Sequence, residues 1–498
     1  MLRTLIHQEF LIHLMSARFF AACVITLLLV VTNTFVLIGT YEERVADYNQ
    51  KELANRKKVS RIPTYSSFNL KVERPPTPLS LFSAGLDTRY GSHIEIMFPV
   101  VPTLSDTREP LGLKNPHLNL FSQIDLVFIF QMLVSLLALL FAYDAIAGDW
   151  EAGTLRLVMS HPVRQGVILF AKYIAAMVCL LLPVLISLLM VMIQSTLAPS
   201  LQLGTDDFLR IGGIFLTTSV YLSVFYLIGL LISTTTRRPI TSLMLCLFLW
   251  VILVLVYPNW SRFTLDPVGD MRAERISAEK QLVQILEETE REELRFLANS
   301  PLEGKPPVFR SLFGEVSFGK GGIGAWHMTF YEIEGELKNP AAPLVSHLRR
   351  FHQFAARLRI RNAEKVGLVR QQLAVQTSLQ RARWDERFMK LSPASLYRFT
   401  TDAWAGTDLD TMIDYIQAAQ AYRRILIDYF ENKDAFGSLQ WFATNQGSID
   451  WSSLPRFRFE RPEVGINAQR ALPGLFLLFL TNVVLFMVTF LIFIKIEV

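Results

Sequence analysis

The 498-residue chain contains few cysteines and few charged residues for its length. Its three cysteines, Cys23, Cys179 and Cys246, all lie inside apolar blocks, where cysteine behaves as a small hydrophobic residue. The polar regions have none, so no disulfide bonds hold them together. Charged residues make up 19% of the chain, against roughly 25% in soluble domains, and they fall between the apolar blocks. This distribution is typical of a polytopic membrane protein.

The sequence also lacks the motifs of common catalytic and binding sites. The formal net charge of +5 is not concentrated on any segment, which argues against a nucleic-acid partner. No G-x-x-x-x-G-K-[ST] sequence is present to hold ATP phosphates. His347 and His352 are five positions apart, off a common helical face, and no H-E-x-x-H motif occurs. We therefore expect no catalytic residue, no metal site and no cofactor bound by this chain.

Apolar blocks supply the main positive signal. A bilayer core requires roughly 20 apolar residues per helix, and six segments qualify: 19–40, 122–147, 171–197, 210–233, 239–257 and 472–494. The first is too long for a signal peptide and lacks an Ala-x-Ala-type exit, so we expect it to be retained as an anchor.

Lysine and arginine in the short loops predict the orientation of these spans. The basic residues of the N-terminus, the 2–3 loop and the 4–5 loop are Arg3, Arg18, Arg156, Arg164, Lys172, Arg237 and Arg238. We expect these loops and both termini in the cytoplasm, with the chain in the bacterial inner membrane. Residues 41–121 and 258–471 then lie outside, because long loops cross largely regardless of charge.

Both outer inserts show secondary-structure signals. The smaller insert is proline-rich near residues 74–78, and HIEIMFPVV (93–101) predicts short strands. The larger insert has helical periodicity over 266–299, 344–391 and 409–430, and its tail LPRFRFERPEVG predicts an extended return to the membrane. The predicted fold is an α-helical polytopic membrane protein with six transmembrane helices. A mainly helical extracytoplasmic bundle stands above spans five and six, and a smaller insert joins spans one and two.

The middle of every span is free of charged residues. Asp125 and Asp144 fall at the two ends of span two, where we expect water to reach them. A proton- or ion-coupled carrier usually keeps an ionisable group near the midplane, so this class is disfavoured. Neutral polar residues there either hydrogen-bond neighbouring helices or line a transport path or dimer interface: Asn33, Gln131, Ser135, Thr217, Thr218 and Asn482.

Two cytoplasmic segments could contact other surfaces. Residues 1–18 predict an interfacial helix with Leu2 and Leu5 towards lipid and Arg3 and His7 towards water. Residues 148–170 predict a short amphipathic element that suits a groove on a cytosolic partner, with a plain surface loop as the alternative. Its candidate contact residues are Asp149, Glu151, Gly153, Thr154, Leu155, Arg156, Leu157 and Pro162.

The segment EAGTLRLVMSHPVRQGVILFAKYIA (151–175) resembles the coupling segment of ABC-2 type permeases. The family pattern is roughly E-x-G-T-L-R-L-L-L-S-x-P-V-x-R, followed by a small residue and lysine. The matching residues are Glu151, Gly153, Thr154, Leu155, Arg156, Leu157, Ser160, Pro162, Val163 and Lys172. The family's second basic residue appears one place early, as Arg164. In that family the segment is the coupling helix that docks on the ATPase subunit.

Two further segments, RPPTPLSLFSAGLD (74–87) and SPASLYRFTTDAWAGTD (392–408), are similar to permeases with large periplasmic inserts. That subgroup includes permeases of gliding motility and nitrous-oxide-reductase maturation. The resemblance implies a dimer with a second copy or a sister permease, and two ATPase subunits that bind the ATP and Mg. It implies an ATP-driven exporter of a hydrophobic or amphipathic substrate. The alternative is mechanotransmission to a periplasmic or outer-membrane partner, and a receptor or scaffold without an ATPase is a further class.

Overall fold

The computed structural model describes residues 2–87, 92–103, 124–154, 165–258, 272–299, 309–313, 317–319, 322–324, 327–331, 343–374 and 391–495. Helix α1 (Leu2–Leu14) ends earlier than the predicted element 1–18, and Ser16 begins helix α2 by accepting a hydrogen bond from Phe19 N at 3.2 Å. Helix α1 packs along the third span.

The first span is longer than its apolar block. Helix α2 (Ala17–Val59) has 43 residues and is therefore about 65 Å long, roughly twice the thickness of a bilayer core. No glycine or proline interrupts it after Gly39, and Lys51 pairs with Asp47 one turn earlier at 2.8 Å. The polar half of α2 therefore continues the span as a stalk beyond the membrane.

Six helices in the described part of the chain are long and apolar enough to cross a membrane, as the sequence predicts. The second span, α3, consists of Leu126–Ile129, a π-helical turn Phe130–Val134 and Ser135–Ala142. The third and fourth are α5 (Gln165–Leu197) and α6 (Thr205–Thr235). The fifth, α7, joins Pro239–Trp250 to a π-helical turn Val251–Val256, and the sixth is α12 (Val464–Ile494).

The second and fourth spans form the centre of the membrane region. In α3 and α6, 72% of the apolar window is buried, against 17% in α7 and 22% in α12. The peripheral spans therefore present broad apolar faces to lipid or to another membrane subunit. Because successive spans cross in opposite directions, both inserts lie on the same side of the membrane region, which we call the insert side. Helix α1, the loop between spans two and three and the loop between spans four and five lie on the opposite side, which we call the loop side.

The insert domain consists of β1 (Leu70–Glu73), β2 (His93–Ile96), helices α8 (Arg272–Asn299), α9 (Pro343–Ala374) and α11 (Leu409–Asn432), and two hairpins. Strands β1 and β2 are antiparallel, with Leu70 opposite Ile96. In the hairpins, β3 (Phe309–Phe313) pairs with β6 (His327–Tyr331), and β4 (Ser317–Gly319) with β5 (Gly322–Gly324).

One aromatic core joins the two inserts into a single domain. Phe430 of α11 is fully buried, and its ring meets Phe98 of the first insert edge-on at 4.7 Å. The Tyr415 hydroxyl donates to the Val72 carbonyl of β1 at 2.9 Å. The predicted bundle contains only helices of the larger insert. In the structure, α11 also packs against the smaller insert.

Acid is expected to destabilise this domain through His352. Its ring stacks on Phe442 at 4.8 Å, and burial, helped by Arg359, lowers its pKa from 6.5 to about 3. Because the unfolded chain binds the proton first, native stability falls as the pH drops from 6.5 towards 3, by about 1.4 kcal/mol at about pH 5.5. Thermal unfolding of the full chain and of His352→Phe near pH 7.5 and near pH 5.5 measures this contribution as the difference between their acid shifts. The comparison is needed because the raised pKa values of Asp402 and Asp408, each about 6, stabilise the native chain over the same range. An equal acid shift in that variant would contradict this assignment.

Candidate functional site

The candidate coupling segment, residues 147–154, follows span two on the loop side. It begins as the short helix α4 (Ala147–Glu151) and turns at Gly153, whose φ is +70°. The Thr154 hydroxyl donates to the Asp149 carbonyl at 3.3 Å. Glu151 and Gly153 are exposed, so this turn is accessible to a partner. The predicted residues Leu155, Arg156, Leu157 and Pro162 lie outside the described residues.

Ser233 at the end of span four anchors the start of this segment. Its hydroxyl oxygen accepts hydrogen bonds from the backbone N–H groups of Ile146 and Ala147, both at 3.0 Å. The same hydroxyl donates to the Tyr143 carbonyl at 2.9 Å. All three bonds are buried, so α4 is fixed to the end of α6.

Charged side chains attach the segment to two further elements. Lys172 of span three contacts Glu9 of α1 at 2.9 Å and Asp149 of α4 at 3.2 Å, and only 11% of its side chain is exposed. Arg237, in the loop before span five, lies over the Trp150 ring at 5.2 Å. The segment therefore contacts spans three and four and the loop before span five, and Lys172 links it to α1.

Removing the Ser233 hydroxyl tests this anchor. Ser233→Ala leaves two buried N–H groups without their acceptor, a loss of about 1–3 kcal/mol. We expect faster hydrogen exchange at residues 146–151, measured by mass spectrometry on the purified chain. Thr235→Ala is the matched control, because that hydroxyl is exposed and bonds only within its own helix. Equal exchange in both variants would show that Ser233 does not hold the segment.

The predicted midplane residues of spans one, two and six form hydrogen bonds within the chain. The Asn33 side-chain amide donates to the Ile124 carbonyl at 2.6 Å. The Trp250 indole donates to Ser135 at 2.9 Å, and the Asn482 amide donates to the Val220 carbonyl at 2.9 Å. Gln131 is buried, and its side-chain oxygen has no partner among the described residues. A role for these polar residues in a transport path or dimer interface stays a prediction.

A helix that periodicity did not predict lies between the spans and the insert domain. Helix α10 (Pro393–Ala405) begins at Ser392, whose hydroxyl donates to the Leu253 carbonyl of span five at 2.6 Å. The Tyr397 ring stacks on Tyr221 of span four at 4.2 Å, and its hydroxyl lies 2.9 Å from that of Thr218. Thr217, the neighbouring predicted residue, donates to the Gly213 carbonyl of its own helix at 2.8 Å.

Glycines on spans four and six allow α10 to approach closely. A Cβ atom at Gly213 would collide with the Trp404 ring, and one at Gly474 would collide with Thr400. Asn467 of span six donates to the Ala403 carbonyl at 2.7 Å, so it caps the end of α10. Gly406, with φ +69°, then turns the chain into α11. Helix α10 thus connects three spans to the core helix of the insert domain.

Asp125 corrects the expectation that water reaches both ends of span two. Its side chain is fully buried and pairs with Arg398 of α10 at 3.1 Å. It also accepts hydrogen bonds from Ala84 N at 3.0 Å and from Phe128 N at 2.7 Å. Asp125 therefore joins span two, the smaller insert and α10 at one point. Asp144, at the other end, is partly exposed and pairs with Arg18 at 2.8 Å.

The two segments 74–87 and 392–408 meet around Asp125, and we call this contact the junction. Ser83 donates to the Asp402 carboxylate at 2.5 Å, and Thr407 donates to the Ser83 carbonyl at 3.0 Å. Burial raises the pKa of Asp402 to about 6. Asp87 pairs with Arg44 of the α2 stalk at 2.5 Å, so the stalk is attached as well.

Comparison with known proteins divides the chain into two regions, and residues of both meet at this junction. Residues 3–287 match the profile of the ABC-2 family transporter proteins. Residues 337–460 match a domain of unknown function, DUF3526. Asp125 lies in the first region and Arg398 in the second, so their ion pair joins the two. The first match covers more than half of the 498 residues.

Two curated relatives match shorter stretches. The probable ABC transporter permease protein NosY of Stutzerimonas stutzeri is 32% identical over 126 residues, which is 25% of this chain and 45% of that protein. NosY of Pseudomonas aeruginosa is 44% identical over 54 residues, or 11% of this chain and 20% of that protein. The matched segments thus span less than half of either relative.

Six apolar spans, with a short anchored segment on one side and a large insert on the other, define a polytopic membrane protein. The profile match over residues 3–287 specifies the family. The chain belongs to the ABC-2 family of transporter proteins.

Proposed function

We propose that this chain is the permease subunit of an ATP-driven complex that moves its insert domain in response to the candidate coupling segment. The observation that carries the proposal is α10, which contacts spans four, five and six and continues through Gly406 into α11. A displacement of span four at Ser233 would therefore reach the insert domain through one continuous set of packed contacts.

The remaining parts of the complex follow from the family. Two copies of a separate ATPase subunit would bind the ATP and Mg, dock on Glu151 and Gly153, and supply the energy. A second copy or a sister permease would cover part of the exposed apolar faces of the spans. We propose that α1 and both termini lie in the cytoplasm of a bacterium, in its inner membrane, and that the insert domain acts on a partner beyond it.

Export of a hydrophobic or amphipathic substrate is the second candidate. The observation that favours it is the broad apolar face of α7 and α12, which could border a path between two permeases or towards lipid. The two candidates differ in what must move: the insert domain in the first, a substrate in the second.

The test uses the complex purified with its ATPase from native membranes and placed in liposomes. Spin labels at Leu216 of span four and Ile425 of α11, both about half exposed, report the distance between the membrane region and the insert domain. We expect this distance to change when ATP and vanadate trap the ATPase. Glu151→Ala should abolish the change, whereas Glu431→Ala, an exposed carboxylate of α11, should retain it. A constant distance together with ATP-dependent movement of a fluorescent lipid would favour export, and absence of any co-purifying ATPase would overturn both candidates.

A further inference from the structure

A cavity of about 460 Å³ lies in the insert domain, and no residue of the coupling segment lines it. Its walls are the α2 stalk, strand β1, helix α11 and residues 449–457. Pockets for small molecules usually measure about 300–1,000 Å³, so this cavity has the size of a ligand site.

The aromatic lining offers ring faces and few free polar atoms. The Trp451 indole N–H donates to the Ile62 carbonyl at 3.3 Å. The Tyr422 hydroxyl donates to the Pro455 carbonyl at 2.7 Å. Because the indole N–H and the phenol hydroxyl are both bonded to backbone carbonyls, the two rings present apolar surface to the cavity, beside Leu70 and Phe457.

Most polar side chains of the lining are also paired. Arg56 pairs with Glu52, one turn earlier on the stalk. The Asn55 amide donates to the Lys71 carbonyl at 3.0 Å. Glu73 accepts a hydrogen bond from Ser92 at 3.2 Å. The two carboxylates of the cavity are thus already engaged.

Two cations remain. Within the described part of the chain, neither Lys71 nor Arg456 has a carboxylate within salt-bridge distance, although both line the cavity. An occupant that fits must therefore supply a negative group to these cations and apolar surface to the rings.

We propose that this cavity binds a small amphiphile that carries one anionic group and an apolar tail. Lys71 and Arg456 hold the carboxylate or phosphate, and the tail lies along Tyr422, Trp451 and Phe457. The stalk leads directly from span one, and residues 455–463 lead directly into span six. An occupant thus links the extensions of two peripheral spans. The binding test for this site requires no ATPase and no nucleotide, so its outcome does not depend on the proposed coupling function.

The test uses the full chain in nanodiscs of phosphatidylcholine, without nucleotide. Palmitic acid that carries a diazirine is photolysed on the protein, and the labelled peptides are mapped by mass spectrometry. We expect labels on residues 52–60 and 449–457. Unlabelled palmitic acid and lysophosphatidic acid should compete, and hexadecanol, which has the tail without the charge, should not. The stronger of the two acids identifies carboxylate or phosphate as the preferred group.

Charge reversal then tests the two cations. The double variant Lys71→Glu, Arg456→Glu should weaken labelling about tenfold or more, the loss of at least one charge-assisted hydrogen bond. Lys57→Glu and Arg458→Glu are the matched controls, since both side chains are exposed neighbours outside the lining. Ser452→Trp, which fills the cavity from its rim, should also prevent labelling. Thermal unfolding of each variant checks the fold. Competition by hexadecanol, labels confined to the spans, or equal losses in the controls would overturn the proposal.

Discussion

Replacing Gly153 with valine should reduce ATP hydrolysis by the assembled complex about tenfold or more, while the chain still inserts and folds. Gly153 has φ +70°, a conformation that costs a β-branched residue about 1–3 kcal/mol. A Cβ atom there meets no other atom within 4 Å. The penalty therefore acts on the turn alone, and it shifts Thr154 relative to the proposed ATPase contact.

Gly153→Asn is the control for this prediction. Asparagine is larger than glycine but tolerates a positive φ, so its variant should keep most of the activity. ATP hydrolysis is measured on the complex in liposomes, with thermal unfolding of both variants alongside. If valine and asparagine reduce hydrolysis equally, the loss comes from side-chain bulk at the ATPase contact, and the turn conformation is not what matters. Normal hydrolysis in the valine variant would remove the coupling role from this turn.

The sequence predicts those parts of the fold whose signals are local. Each span is a mostly apolar block long enough to cross a bilayer, and such a block is helical because the bilayer requires every backbone group to be satisfied within its own helix. Helix α11 also follows from local periodicity, since Met412, Ile416 and Ala419 recur at helical spacing and are buried.

The junction could not be predicted from local signals. Asp125 is 273 residues from Arg398, and Ser83 is 319 residues from Asp402. The periodicity of the sequence does not indicate that these groups are in contact. Asp125 looks like a solvated residue at a span end until α10 is placed over it. The available signal was indirect: segments 74–87 and 392–408 both resemble the same subgroup of permeases. The stalk has no signal in the hydropathy, which marks where α2 leaves the membrane and gives no sign that the helix continues.

Replacing Arg398 with methionine is expected to destabilise the junction by about 3–5 kcal/mol, the usual cost of leaving a buried charge without its partner. Asp125 would keep its two backbone N–H donors but lose the only cation within salt-bridge distance in the described part of the chain. Thermal unfolding of the full chain in detergent measures the loss, and hydrogen exchange in α10 locates it. In the double variant Asp125→Asn, Arg398→Met, the buried charge is gone, so most of the stability should return. A double variant as unstable as the single one would mean that Arg398 acts by packing rather than by charge.

The same replacement should make the junction sensitive to pH. Arg398, Ser83, Asp125 and Asp408 all act on Asp402, whose pKa burial raises to about 6. Above that pH both Asp402 and Asp125 are negative, and without Arg398 they repel each other through a low-dielectric region. Because Arg398 lowers the pKa of Asp402, its loss moves that pKa above about 6, so the deficit of Arg398→Met relative to the native chain should shrink as the pH falls towards about 6. A deficit of constant size across that range would show that the two carboxylates do not interact. Spans four and six would then be joined to α10 by the stacked tyrosines and the close glycine contacts rather than by charge.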